Sequence, residues 1–198
     1  MFIELAEFLR CPADHEEQSY CVIVPDRMLD RVVRTGSIGC PVCKREYLIV
    51  DGAVRFDDVS PVESEAGPAG LPAPEAVQAL LGLTGPGGYV VLVGSAAPIA
   101  EPLAALLPET HLVTVNPPTT TWSFTSSALF SQARIPLRDS MARGVVVGAD
   151  STAEHWLSEG ARVLLKGLRL VVLSEDVTVD GVERLAVGDG MWVGRKGQ

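Results

Sequence analysis

Nowhere in the 198 residues is there an apolar stretch of 18 or more without a charge or a helix breaker, so no membrane-spanning helix is expected. Basic residues are few: 16 Lys and Arg stand against 25 Asp and Glu, a net charge of −9. A broad phosphate-binding surface needs clustered Lys and Arg, so direct contact with nucleic acid is not expected either. The first ten residues carry two Glu and no basic n-region, which argues against a secretory leader and for a cytoplasmic setting. There are three His, and none joins a Ser or Cys in a nucleophile motif, so no catalytic triad is assigned. No internal repeat is present. Cysteine is missing from everything beyond residue 43.

That last absence concentrates all four thiols, Cys11, Cys21, Cys40 and Cys43, at one end of the chain. In a reducing compartment such clustering favours a metal over disulfides. Cys40-Pro41-Val42-Cys43 sets two thiolates two residues apart, where they can chelate one tetrahedral ion, and Cys11-Pro12-Ala13-Asp14-His15 supplies the second half. Cys11, His15, Cys40 and Cys43 form a Cys3His donor set, which suits zinc. Cys21 is a rival fourth ligand, although it also reads as a core residue of an apolar alternating strand at 20–24. With four protein ligands no position stays open for water, so hydrolysis at this zinc is not expected.

Residues 1–56 read as the first unit. Phe2, Ile3, Leu5, Phe8 and Leu9 recur at helical spacing and deliver Cys11. A strand at 20–24 and a helical turn or ribbon arm at 27–33 follow. Strands at 47–50 and 53–56 are joined by Asp51-Gly52, a hairpin turn signal. Residues 57–75 are rich in Pro, Gly, Ala and acid and read as a linker. From 76 to 198 apolar runs alternate with helical segments, the signature of an α/β layer fold. Helices are expected at 76–83, 99–107 and 152–165. Strands are expected at 89–93, 111–115, 134–137, 144–148, 168–174 and 191–194, with a turn at Lys166-Gly167-Leu168. Trp122 and Phe124 stand in a Thr/Ser-rich segment, as an exposed recognition loop or as closure of a small core.

The first unit resembles the zinc-ribbon family that contains the activator subunit of tRNA, rRNA and protein methyltransferases. The resemblance rests on Leu9-Arg10-Cys11-Pro12, on Gly39-Cys40-Pro41-Val42-Cys43 and on Tyr47-Leu48-Ile49-Val50-Asp51-Gly52. It departs at position 14, where Asp14 replaces the second thiol of the first knuckle. The resemblance implies a protein partner, a methyltransferase or a second copy.

The second unit resembles a shortened class I S-adenosylmethionine-dependent methyltransferase, a reduced Rossmann-like three-layer sheet. Val90-Val91-Leu92-Val93-Gly94-Ser95-Ala96-Ala97, the segment 156–173 and Met191-Trp192-Val193-Gly194-Arg195 carry the likeness. It implies a cofactor site at Gly94, Ser95, Asn116 and Asp150, with Asp150 or Ser151 equally suited to cap the following helix. Such enzymes use a Gly-x-Gly-x-Gly loop and an acidic residue after the second strand. Here the loop keeps only Gly94, and Asn116 offers the ribose no charge. The expected protein is a zinc-binding accessory or scaffold with a non-catalytic methyltransferase-like domain, a pseudoenzyme with no catalytic residues. The alternative is a small methyltransferase using S-adenosylmethionine with its ribbon in cis. A redox role for Cys40-x-x-Cys43 ranks third, because the ribbon strands and Cys11 already account for those thiols.

Overall fold

The computed structural model of the chain describes residues 1–15, 19–57, 70–118 and 125–198. Its core is one sheet of eleven strands: β1 (Val22–Leu29), β2 (Val32–Gly39), β3 (Glu46–Val50), β4 (Ala53–Arg55), β5 (Tyr89–Val93), β6 (His111–Val115), β7 (Ser126–Phe130), β8 (Ala142–Val147), β9 (Leu164–Val172), β10 (Val182–Gly188) and β11 (Met191–Lys196). Among the described residues three α-helices accompany it: α1 (Pro74–Leu81), α2 (Ala100–Leu106) and α3 (Glu154–Val163). The spatial order is β1-β2-β3-β4-β7-β6-β5-β8-β9-β11-β10. The sheet is therefore larger than the separate ribbon and reduced sheet expected. The segment that extends it, β1 to β4, comes from residues 1–56.

Local chemistry explains the antiparallel arms. Asp30 takes a left-handed φ of +52° and turns β1 into β2, so 27–33 forms a hairpin arm and no helical turn. Asp51 and Gly52, at φ +50° and +84°, make the two-residue turn between β3 and β4. Then the direction changes. β4 pairs in parallel with β7, and the parallel run continues through β6, β5, β8 and β9. Strands β7-β6-β5-β8-β9 have the doubly wound order three-two-one-four-five, which places the topological switch point between β5 and β8. The antiparallel pair β11 and β10 finishes the edge.

Register fixes the two faces. Val50, Ala53, Ala128, Thr114, Leu92, Val146, Val171 and Val193 lie opposite one another across eight strands. The central part of this row is buried with Val77 and Leu81 of α1 and Leu103 of α2. On the other face, Val91, Val93, Val113, Val145 and Val147 pack with Leu157 and Ala161 of α3. That same cluster takes in Met1, Leu5, Leu9, Ile38 and Ile49 from the ribbon, so ribbon and α/β segment share one core.

The amphipathic segment at the start of the chain is a 3-10 helix, Ile3–Phe8, seated on this second face. Phe8 packs its ring 4.9 Å from Tyr89 and Phe2 sits 5.0 Å from His111. Phe2 N donates to Ser127 Oγ at 3.0 Å. The strand expected at 134–137 is instead irregular. Pro136 removes a ladder donor there, and Leu137 makes a lone antiparallel bridge to Leu9 while Arg10 N donates to Pro136 O. Three strands were not foreseen: β2 over most of its length, β7 and β10; Ser126-Ser127 and the exposed residues of β10 lack a clear apolar alternation. The turn expected at 166–168 lies inside β9, where the pairing slips between Leu164 and Arg169. The second helix begins later than expected, after a 3-10 stretch Gly94–Ile99. The linker reading falls largely on 58–69, and the recognition-loop reading of Trp122 and Phe124 falls on 119–124; both lie outside the described residues. Among the described residues no helix is long and apolar enough to cross a membrane.

The N-terminal segment fills the sheet as a core element should, so Leu5→Ala, at a fully buried position, is expected to lower the unfolding free energy of the chain by about 2–5 kcal/mol. Urea denaturation followed by circular dichroism measures it. A loss under about 1 kcal/mol would show that this helix is not an integral part of the core.

Candidate metal centre and switch-point loops

The knuckle between β2 and β3 is closed by its own backbone. Cys40 N donates to Arg45 O at 2.9 Å, and Lys44 N donates to Cys40 O at 3.0 Å. This turn carries Cys40 and Cys43. Cys11 follows directly after the residues that bridge to 136–137, and His15 lies four residues further on. The four donor atoms, three Sγ and one imidazole nitrogen, all lie within 4.8 Å of one another. Cys21 lies outside this group, although it is buried nearby.

The spacing within the cluster has a chemical meaning. A zinc ion with bonds of about 2.3 Å to sulfur and 2.0–2.1 Å to nitrogen sets tetrahedral edges of about 3.75 Å between sulfurs and about 3.5 Å from sulfur to nitrogen. Cys11 Sγ and Cys43 Sγ are 3.7 Å apart, and Cys40 Sγ is 3.5 Å from His15 Nε2. No disulfide joins any of them. Cys11 and Cys40 are 2% exposed, while His15 and Cys43 are half-buried. The residues present therefore fit a structural zinc, with Cys11, His15, Cys40 and Cys43 as its holders.

Electrostatics point the same way. Burial pushes the Cys11 thiol up to about 11, against a hydrogen bond from Tyr47 that favours the thiolate. Cys43 is moved down: burial opposes ionisation, and the Arg45 N–H together with the Cys40 and Cys11 thiols outweighs it. Cys21 is pushed up to about 12 by burial, with Cys11 and Cys40 adding like charge. Several thiolates crowded into a low-dielectric pocket are costly unless a cation compensates them. Around them, Tyr47 Oη lies 3.0 Å from Cys11 Sγ, and the buried Arg10 lays its guanidinium 3.9 Å over the Tyr20 ring. His15 Nδ1 is buried without a hydrogen-bond partner among the described residues.

The second group of candidate residues is arranged differently. Gly94, at φ +60°, leads from β5 straight into the 3-10 helix Gly94–Ile99. Across the switch point, Asp150 sits in the turn after β8 and accepts the Ser95 N–H with both carboxylate oxygens, at 2.9 and 3.1 Å. Ser151 Oγ donates to Asp150 Oδ1 at 3.1 Å. Asp150 thus caps a helix, but the one after β5. The helix α3 that follows it starts without a side-chain cap. The contact is close on both sides. A Cβ at Gly94 would collide with Asp150 and Ser151, and one at Gly148 would come within 2.7 Å of the Ser95 and Ala96 nitrogens. These glycines let two loops meet each other.

Asn116, at φ +51°, ends β6 where an acidic residue would hold a ribose. Its Nδ2 donates to Ser131 O at 2.7 Å, and Ser131 N donates to its Oδ1 at 2.9 Å. Both ends of the amide are committed to a backbone segment beyond β7. His111 stacks on Tyr89 at 5.5 Å and His155 lies against Trp156 at 4.6 Å. Sequence reasoning missed Tyr47 as a neighbour of the thiols and Ser131 as the partner of Asn116. The first stands in the Tyr-x-Ile-x-Asp-Gly motif; no signal in the chain marks the second.

No protein-family model and no curated protein matches the sequence. Among solved structures, geranyl diphosphate methyltransferase in complex with GPP and sinefungin matches at 16% identity and a TM-score of 0.43, over 50% of this chain and 43% of its own. The chain therefore spans less than half of that relative. An S-adenosyl-L-methionine methyl transferase from Silicibacter pomeroyi matches at 14% identity and a TM-score of 0.44, over 62% of this chain and 88% of its own. A chain from the complex between a Haloferax volcanii methyltransferase activator and a methyltransferase matches at 13% identity and a TM-score of 0.46, over 63% of this chain and 89% of its own.

Close packing of the two loops makes Gly148→Ala an expected loss of about 1–3 kcal/mol, because the Ser95 and Ala96 backbone nitrogens stand in the way behind the Ser95 hydroxyl. Gly39→Ala, whose added carbon meets nothing within 4 Å, serves as the control and is expected to stay within about 0.5–1 kcal/mol of the parent. Equal effects of the two in urea unfolding would mean that the switch-point loops are not tightly joined.

Proposed function

We propose that this chain is a zinc-holding accessory or scaffolding protein whose methyltransferase-like α/β sheet does not catalyse methyl transfer. One observation carries the reading: the groups that a nucleoside-bearing methyl donor would engage after β5, β6 and β8 are already bonded within the protein. Asp150 takes the Ser95 N–H, and Asn116 is spent on Ser131. A ligand entering there would have to break both arrangements and would find no ionised group for its ribose. Losing one charge-assisted hydrogen bond costs about 1.5–3 kcal/mol, roughly ten- to a hundredfold in affinity, before the closed loop is counted.

In this reading residues 1–56 are the zinc ribbon, 57–75 the linker and 76–198 the α/β domain. The ribbon's first partner is the α/β domain of its own chain. The parallel pairing of β4 with β7 and the core shared by Leu9, Ile49, Val113 and Leu137 support that assignment. Zinc, when bound, supplies charge to three crowded thiols and ties Cys11 and His15 to the knuckle. The protein's own residues do the remainder: the N-terminal helix seats Cys11 on the sheet, and the Cys40–Arg45 backbone turn holds the second pair.

Metal analysis of the full chain purified without chelator is expected to give one zinc per chain, with Cys40→Ser losing it. His15→Ala is expected to lower the content and Cys21→Ser to leave it unchanged; the reverse result would make Cys21 the fourth ligand.

Titration calorimetry with S-adenosylmethionine is expected to show binding no tighter than the high micromolar range, about −5 to −6 kcal/mol. Low-micromolar affinity abolished by a bulky residue at Gly94 would overturn the non-catalytic reading and establish the methyltransferase alternative.

A further inference from the structure

The metal centre is joined to the junction between ribbon and α/β segment by a buried path that runs through one side chain. Tyr47, 6% exposed, stands in β3 with its hydroxyl 3.0 Å from Cys11 Sγ. Its ring packs on Phe56, centroid to centroid 4.9 Å, at an angle of 56°. Phe56 is 4% exposed, follows β4, and its N–H donates to Phe130 O of β7 at 2.9 Å. One buried chain of contacts thus leads from a sulfur of the cluster to the sheet join. A second route leaves Cys11 along the backbone, through Arg10 N to Pro136 O at 3.0 Å. Cys11 is where the two routes meet.

Hydrogen-bond chemistry decides the direction of the tyrosine contact. A thiolate bound to a cation has no proton to give, so Tyr47 Oη–H is the donor and sulfur the acceptor. Such a bond drains electron density from the sulfur and fixes the direction in which its lone pairs point, and outer partners of this kind govern how well a centre holds its ion. The phenol is buried between the cluster and Phe56, so the bond is shielded from competing water.

Resting on the zinc reading above, we propose that Tyr47 is the outer positioning residue of the metal centre, holding Cys11 in ligating geometry and passing metal occupancy to the β4–β7 junction through Phe56. Filling the site then tightens the join between ribbon and sheet. Loss of the ion loosens that join before it affects β5 or β8 in the middle of the sheet.

The test uses the full chain loaded with Zn2+ or Co2+, alongside Tyr47→Phe, which keeps the ring against Phe56 and deletes only the donor. Zinc is expected to leave the variant for a chelator about 10- to 100-fold more readily than it leaves the parent. In the cobalt form the sulfur-to-metal charge-transfer band is expected to move to longer wavelength, a signature that a merely structural role would not produce. In the parent, hydrogen exchange at 126–130 is expected to slow on loading. In the variant that gain is expected to shrink, while protection at 136–138, reached through Arg10, is kept. Release and band unchanged by Tyr47→Phe, or no change at 126–130 when the parent is loaded, would overturn the proposal while leaving the metal centre standing. A parent that takes up neither ion would overturn the zinc reading itself, and the proposal with it.

Discussion

Three residue pairs, Ala53 with Ala128, Val54 with Leu129 and Arg55 with Phe130, join two pieces of chain that differ in style. On one side are antiparallel hairpins with tight turns; on the other is a parallel, doubly wound sheet. A ribbon of under 60 residues has little surface to bury and is marginal by itself. Pairing its last strand with β7 gives it a neighbour, removes one exposed edge from each piece and lets their apolar faces merge. Parallel pairing cannot be made by a short turn, so strands adjacent in space are far apart in sequence. The 3-10 helix at the N-terminus then has a surface to sit on, with Leu5 and Leu9 in the same core as Val113 and Val115. Residues of 1–56, α3 and the segment around Ile135 and Leu137 pack together on the second face of the sheet.

The metal centre depends on that arrangement. Cys11 reaches Cys40 and Cys43 because Leu9 and Arg10 are pinned against 136–137, and because β2 and β3 present their knuckle on the same side. Burial makes the position of Cys11 unfavourable for a free thiolate, as its upward shift shows. A divalent cation would resolve the conflict, and the Cys11–Cys43 and Cys40–His15 separations, 3.7 and 3.5 Å, match the edges of a zinc tetrahedron. Four protein donors would close such a centre, which is what the proposed structural role requires.

At the opposite end of the functional question stands the crevice between β5 and β8. Doubly wound sheets bind ligands there because two loops diverge and leave backbone donors unpaired. In this chain they converge. Asp150 supplies from within the carboxylate that a ligand would otherwise bring to the Ser95 N–H, and Gly94 and Gly148 permit the approach. A site whose donors and acceptors satisfy one another is stable, but it holds little binding energy for anything else. That constraint, more than the lack of a charged residue at 116, underlies the non-catalytic reading.

How much was legible in the chain follows from the range of the forces involved. The knuckle, the Asp51-Gly52 turn and the buried strand Tyr89–Val93 are set by neighbours a few residues away, and each is visible as a local pattern. The clustering of Cys11, His15, Cys40 and Cys43 was likewise readable, because metal chemistry demands particular atoms at short spacing. What the sequence left open was decided by contacts across tens of residues. β7 became a strand through its partners β4 and β6, since Ser126-Ser127 carries no strand signal of its own. The 134–137 segment, apolar at alternate positions, lost its strand to Pro136 and to Leu9. Asp150 could cap either of two helices by local rules, and only the approach of the β5 and β8 ends assigned it to Ser95. Whether ribbon and sheet stand apart or share a core could not be read from composition either, because apolar faces do not state which other face they will meet. Local geometry is encoded locally; the pairing of faces and strand edges is chosen by the burial of the whole chain.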